Sequence, residues 1–261
     1  MNLAGWVPSG TYEPLQAYAE QATRPLASLF FVIPLIVAYE AGVLLWPTAT
    51  RNGADVWLRT LLQWTGFGQY FLLPLLTCAA LLAWHHLRQD AWQVRQGTLL
   101  WMACESFGWA CVLWGWAHVH HDLWPAPTTR ETVAIPCAWN EAATAPAWLI
   151  AFCGAGLYEE LLFRLLLLPG LALLLRLTGV SISTSLWIAI VLNSLLFAAA
   201  HYRWDLSFGT WSWQSSLGDP FQWRSFWFRT TAGLFFSFLF RHRGFGIAAG
   251  SHACYDILVW L

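Results

Sequence analysis

Residues 148–175 read WLIAFCGAGLYEELLFRLLLLPGLALLL. As a helix rising 1.5 Å per residue, this run is long enough to cross a hydrocarbon layer of roughly 30 Å. Yet it holds Glu159, Glu160 and Arg164 at its middle. An ionisable side chain at that depth costs roughly 3 kcal/mol on insertion scales, so such groups persist where they pair or act. Pro169-Gly170 predicts a break before a last apolar turn at 171–175, since proline removes a helical donor.

The rest of the chain has the same character. Of its 261 residues, 58% are hydrophobic and 10% charged, with 20 Trp and 17 Phe. Soluble domains carry about 25% charged residues. Mean hydropathy is +0.50. A water-soluble domain of this size cannot cover so much apolar surface, which excludes a soluble enzyme. The composition excludes a disordered chain as well. The net charge of -1 supplies no basic field for phosphates, so no nucleic-acid partner is expected.

The fold class is therefore all-α, a polytopic transmembrane helical bundle. Seven spans are predicted, at 26–46, 67–84, 99–116, 148–168, 182–201, 226–240 and 245–261. An eighth could lie in the broken fourth segment or among 203–224. Trp46, Trp84, Trp116, Trp148 and Trp260 fall near span ends, where indole suits the headgroup layer. Pro34 and Pro74 predict kinks in the first two spans.

Residues 1–25 form a short leader, amphipathic or loose, with Glu13 and Glu20 and no signal-peptide pattern. Residues 26–147 supply N-terminal transmembrane helices and 148–261 a catalytic transmembrane core. The arginines lean toward a cytoplasmic N-terminus. Cys137 lies in a polar loop and the other five cysteines in apolar runs, with no Cys-x-x-Cys. They read as small buried hydrophobes.

The polar residues inside the spans sort by helical spacing. Glu160 and Arg164 are four apart, as are His252 and Asp256, and Phe197 and His201. Residues four apart share a helix face. Glu159 has no basic partner at that spacing, so it points elsewhere. Glu159, His201, His252 and Asp256 are thus expected to converge from three helices, with Glu160–Arg164 beside them. A carboxylate aided by His can activate water for amide hydrolysis. Two His and one or two carboxylates can instead hold zinc and acidify its bound water. A charge network that only fixes helix packing is the third possibility.

The segments Glu159-Glu160-Leu161-Leu162-Phe163-Arg164, Phe197-Ala198-Ala199-Ala200-His201 and His252-Ala253-Cys254-Tyr255-Asp256 resemble, in order, three motifs of one family. These are Glu-Glu-x-x-x-Arg, Phe-x-x-x-His and His-x-x-x-Asn or Asp of the CPBP intramembrane endopeptidases, also called the CAAX protease or bacteriocin-processing (Abi) family. The resemblance covers about 148 to the C-terminus. It implies that Glu159 is the general base and that His201 orients the water with it. It implies that Glu160 and Arg164 hold Glu159, and that His252 and Asp256 face the scissile carbonyl. It leaves open a metal-free mechanism or a zinc ion held by Glu159, His201, His252 and Asp256. Where the family has Asn it can donate an N–H to an oxyanion. Asp256 donates only when protonated, or else orients His252 or ligates a metal.

His-Glu-x-x-His and a rhomboid-like Gly-x-Ser-Gly are absent, and Ser216-Leu217-Gly218-Asp219 lacks the aspartyl-protease Gly-x-Gly-Asp pattern. The reading is an endopeptidase acting on a membrane-embedded or membrane-adjacent peptide, prenylated or not. Its partners are the lipid bilayer and that substrate, in a bacterial-type inner membrane. The alternative is a non-catalytic scaffold or transporter-like bundle. Arg229 lies near the start of span six, where it could snorkel to the interface. His118, His120, His121 and Asp122 read as a solvated loop. The connections 118–147 and 202–222 are expected to cap the cavity. Glu40 and Glu105 either pair with an Arg or backbone group or mark packing polarity.

Overall fold

The computed structural model describes residues 9–46, 51–124, 145–203, 205–208, 211–214 and 218–261. Helix α1, Ser9–Ala22, precedes the long α2, Pro25–Leu45, which opens on a proline whose missing N–H falls in the unbonded first turn. The short α3, Gly53–Trp64, is capped by Asn52, whose side chain accepts from the Ala54 N–H. After α4, Leu72–Arg88, comes α5, Gln96–Leu123. A continuous helical run follows: α6, Ala145–Gly154, π-helical stretches Ala155–Glu159 and Leu161–Leu167, then α7, Leu168–Leu177. Ser181 caps α8, Ile182–Ala199. A hairpin of β1, Asp205–Phe208, and β2, Trp211–Gln214, leads to α9, Trp223–Arg243, and α10, Phe245–Trp260. The hairpin pairs Asp205 with Gln214 and Phe208 with Trp211.

Helix α10 runs through the centre. Every residue from Phe245 to Ala253 is buried, against α5, α9, α2 and the π-helical run. Phe245 and Ala249 join Leu26, Leu29, Tyr39, Leu157 and Tyr158 in the largest apolar cluster. Outside that core the usual order is reversed. Phe30 and Val37 of α2, Leu75 of α4, Trp101 of α5 and Trp187 of α8 are exposed. Glu160, Arg164, Asn193, Ser194, Ser237 and His252 are buried. Apolar surface outside and polar groups within suit a lipid solvent.

Helices stand at all seven positions expected to span. By length and hydropathy, α2 and α8 are the two among the described residues that suffice to cross a membrane, and α4 is shorter but apolar. Three expectations change. Pro169-Gly170 does not break the fourth segment, because Pro169 lies in the first turn of α7, directly after π-helical backbone that has already shifted its hydrogen-bond register. Pro74 sits in the first turn of α4, where its missing donor disrupts no bond. Residues 203–224 hold the hairpin and no eighth crossing among the described residues. Arg130, Cys137 and the cap expected from 125–144 lie outside the described residues.

Candidate active site

Glu159 ends the first π-helical stretch, Glu160 links it to the second, and Arg164 lies in the second. Gly156, one turn earlier, lets α10 come close. A Cβ there would lie 2.6 Å from the Ala249 carbonyl oxygen and 2.8 Å from the Ala253 side chain. That approach sets His252 of α10 opposite the two glutamates.

His201 lies just beyond α8 and is held at its backbone. Its carbonyl accepts the Asp219 N–H at 2.8 Å, and the Asp219 carbonyl accepts the Arg203 N–H at 2.9 Å. Asp219 Oδ2 also pairs with Arg229 Nη2 of α9 at 2.7 Å. Arg229 is therefore buried, with its guanidinium 5.0 Å from the Tyr202 ring centre, and does not snorkel. A carboxylate within charge-assisted hydrogen-bond reach outweighs the route to the interface. Thus the base of the hairpin connection is fixed to α8 and α9 beside the cluster. Gly218, with φ of +119°, permits the close turn, since a Cβ would meet the Tyr202 backbone at 2.5 Å.

The side chains expected to converge do so. Glu159 Oε2 lies 3.6 Å from His201 Nε2 and 3.8 Å from His252 Nε2. Both distances exceed a direct hydrogen bond. His201 Nδ1 is 2.7 Å from the Phe197 carbonyl oxygen. His252 Nδ1 is 2.7 Å from Glu160 Oε1. Carbonyl and carboxylate oxygens only accept, so each Nδ1 carries the proton and each Nε2 is presented to Glu159. Asp256 Oδ2 lies 3.9 Å from His252 Nε2, within Coulombic reach but beyond a hydrogen bond.

Rings fix the imidazole planes. Phe236 of α9 stacks on His252 with centroids 4.5 Å apart and planes 13° from parallel. Phe197 meets His201 edge to face at 4.8 Å. Arg164 lies 4.3 Å over the Phe197 ring, pairs with Glu160 at 3.2 Å and donates to the Gly233 carbonyl at 3.3 Å. One role implied by the resemblance is redistributed. Glu160 and Arg164 hold His252, and the bond to Glu159 comes from elsewhere.

That bond comes from Asn52, whose Nδ2 donates to Glu159 Oε1 at 2.9 Å. Asn52 escaped sequence reading because its segment is too short and charged to span. The available signal was a cap pattern, Asn52 followed three residues later by Asp55. Around it lies a network that also went unread. Asp55 pairs with Arg51 at 2.6 Å and Arg59 at 2.5 Å, and Arg59 pairs with Glu40 at 2.8 Å. Tyr158, next to Glu159, donates to Glu40 at 2.5 Å.

Glu40 and Glu105 are both ion-paired, Glu105 with Arg243 at 2.5 Å. Tyr18 of α1 donates to Glu105, and burial and then this bond raise the Tyr18 pKa. The cluster expected as a loop lies on the last turns of α5, where His118 Nδ1 meets the Trp114 carbonyl at 2.9 Å. Helix α5 runs past the predicted span because nothing breaks it before Leu123.

Engaged Nδ1 protons with presented Nε2 atoms would suit metal-bound imidazoles. Among the described residues, no group of three His, Cys, Asp or Glu is placed closely enough to hold a metal ion.

A helical bundle, apolar outside, with carboxylates and imidazoles meeting in its partly buried interior, has the make-up of an intramembrane hydrolase. The family comparison makes this particular. Residues 141–258 match the family described as Type II CAAX prenyl endopeptidase Rce1-like, so this part of the chain is similar to CAAX-type proteases, as its three motifs implied. No curated protein and no solved structure matches the chain.

Proposed function

We propose that the chain is a multi-pass intramembrane endopeptidase that uses Glu159 to activate water against a peptide bond. The observation that carries this reading is the placement of Glu159 Oε2 between two imidazole Nε2 atoms, at 3.6 and 3.8 Å. A water accepted among these three groups passes its proton to the carboxylate as its oxygen attacks the scissile carbonyl. The proton then moves to the leaving amine. His201 orients the water, while His252, as an imidazolium with a second proton on Nε2, and Asp256, in its protonated form, donate toward the carbonyl oxygen as negative charge develops there. No step is routed through a metal.

The substrate class is a membrane-embedded or membrane-adjacent peptide. The name of the matching family supports testing prenylated C-termini first. The outward apolar faces of α2, α4, α5 and α8 support a membrane location. The proposed topology is seven crossings of a bacterial-type inner membrane.

Purified protein in phosphatidylcholine vesicles, given a fluorogenic peptide with a farnesylated cysteine three residues from its C-terminus, tests the reading. Proteomics of uncut membrane peptides in cells carrying Glu159→Gln runs beside it. The expected result is cleavage by the wild type and none by Glu159→Gln, with both proteins equally folded. Undiminished cleavage by Glu159→Gln would refute it. Stoichiometric zinc, lost together with activity on chelation, would refute the metal-free route.

A further inference from the structure

We propose that Asn52 is a positioning residue for Glu159, turning its carboxylate so that Oε2 faces the two imidazoles. The inference rests on the reading of Glu159 as the base, and it extends the site to a segment outside the family match at residues 141–258.

The geometry leaves the Asn52 amide one orientation. Oδ1 accepts the Ala54 N–H at 2.8 Å as the cap of α3, so Nδ2 faces Glu159 Oε1 at 2.9 Å. The Asn52 backbone N–H donates to the Tyr39 hydroxyl at 3.0 Å, and Tyr39 donates to Asp55 at 2.8 Å. From Asp55 the bonds pass through Arg59 and Glu40 to Tyr158, the residue before Glu159. A closed circuit thus ties the start of α3 to the backbone that carries the base.

Residue choice points the same way. Ser, Thr, Asp and Asn all cap helices well. Of these, only Asn can accept the cap hydrogen bond and still offer an N–H from a second atom. The cap explains a polar residue at this position, and Glu159 explains why it is an amide.

The test compares Asn52→Ser and Asn52→Asp with wild type and Glu159→Gln in the vesicle assay. Thermal midpoints are measured, and kcat is normalised to the folded fraction. Both Asn52 variants keep the cap; the midpoint of Asn52→Ser should stay within a few degrees of wild type, and that of Asn52→Asp should fall further, since like charges then meet. Their kcat should fall roughly 10- to 100-fold with KM within twofold, because an orientation of the reacting group is lost. The fall should be larger for Asp, which sets a second carboxylate against the first. Wild-type kcat in either capped variant, or a loss wholly explained by unfolded protein, overturns the proposal. If Glu159→Gln is inactive in that case, only the role of Asn52 fails. If Glu159→Gln is active, the functional reading itself fails.

Discussion

Replacing Arg164 by Met should be the most damaging single change to stability in the bundle. Arg164 and Glu160 are both fully buried and lie 3.2 Å apart. Removing one partner of such a pair leaves an uncompensated buried charge, at a cost of about 3–5 kcal/mol. Loss of the cation over Phe197, at 4.3 Å, places Arg164→Met toward the upper end. Glu160→Gln should cost about 3 kcal/mol by the same reasoning, because Arg164 keeps only the Gly233 carbonyl as an acceptor. The double variant has no unpaired charge, and the new amide oxygen at position 160 can still accept from His252 Nδ1. Replacing a whole buried pair is often close to neutral. The double variant should therefore lie at least about 3 kcal/mol above the sum of the single changes. Equilibrium unfolding in mixed micelles, titrated with a denaturing detergent, measures the four corners of the cycle. Additivity within about 0.5 kcal/mol would show that the two charges do not depend on one another, and the account of the pair would be wrong.

Gly156→Leu should separate α10 from the π-helical run, since even a Cβ meets backbone at 2.6 Å. About 1–3 kcal/mol of destabilisation by overpacking, with loss of cleavage, is the expected outcome in the same unfolding and vesicle assays; wild-type values in both would contradict the close approach. Asp256→Asn supplies a donor without needing a proton, and cleavage should stay within about tenfold of wild type. A loss beyond about 100-fold, in the range of a missing acid–base group, would show that the carboxylate itself is required.

Fold and site were legible to different depths. The apolar runs located every long helix, because lipid demands about 20 apolar residues and intrahelical satisfaction of the backbone. Glu160–Arg164, Phe197–His201 and His252–Asp256 were legible because spacing of four survives in any near-α helix. The π-helical register was not, since it follows from how Gly156 packs against α10. Nor could spacing show that the ion pair supports His252 and leaves Glu159 to Asn52, a contact between residues 107 apart. Long-range partners of polar groups are set by packing, on which the local pattern is silent.

The N-terminal half should accordingly be indispensable, although the family match begins at residue 141. A chain of residues 141–261 keeps all three motifs, yet it loses the partners of four buried or half-buried polar groups. Glu159 loses Asn52. Tyr158 loses Glu40, and the Gly246 N–H loses Ser28 Oγ. Arg243 loses Glu105. Each unpaired buried group costs about 1–3 kcal/mol, and more if charged. Four together rival the whole stability of a typical domain, about 5–15 kcal/mol. The buried face of α10 would also lose α2 and α5. Expressed alone, the fragment should neither give a cooperative melt nor cleave the vesicle-borne peptide. Supplying residues 1–140 as a separate chain should restore both, because the missing bonds are non-covalent and lie between helices. A folded, active fragment would mean that the catalytic geometry is set within residues 141–261, and that the circuit from α3 to Glu159 is dispensable.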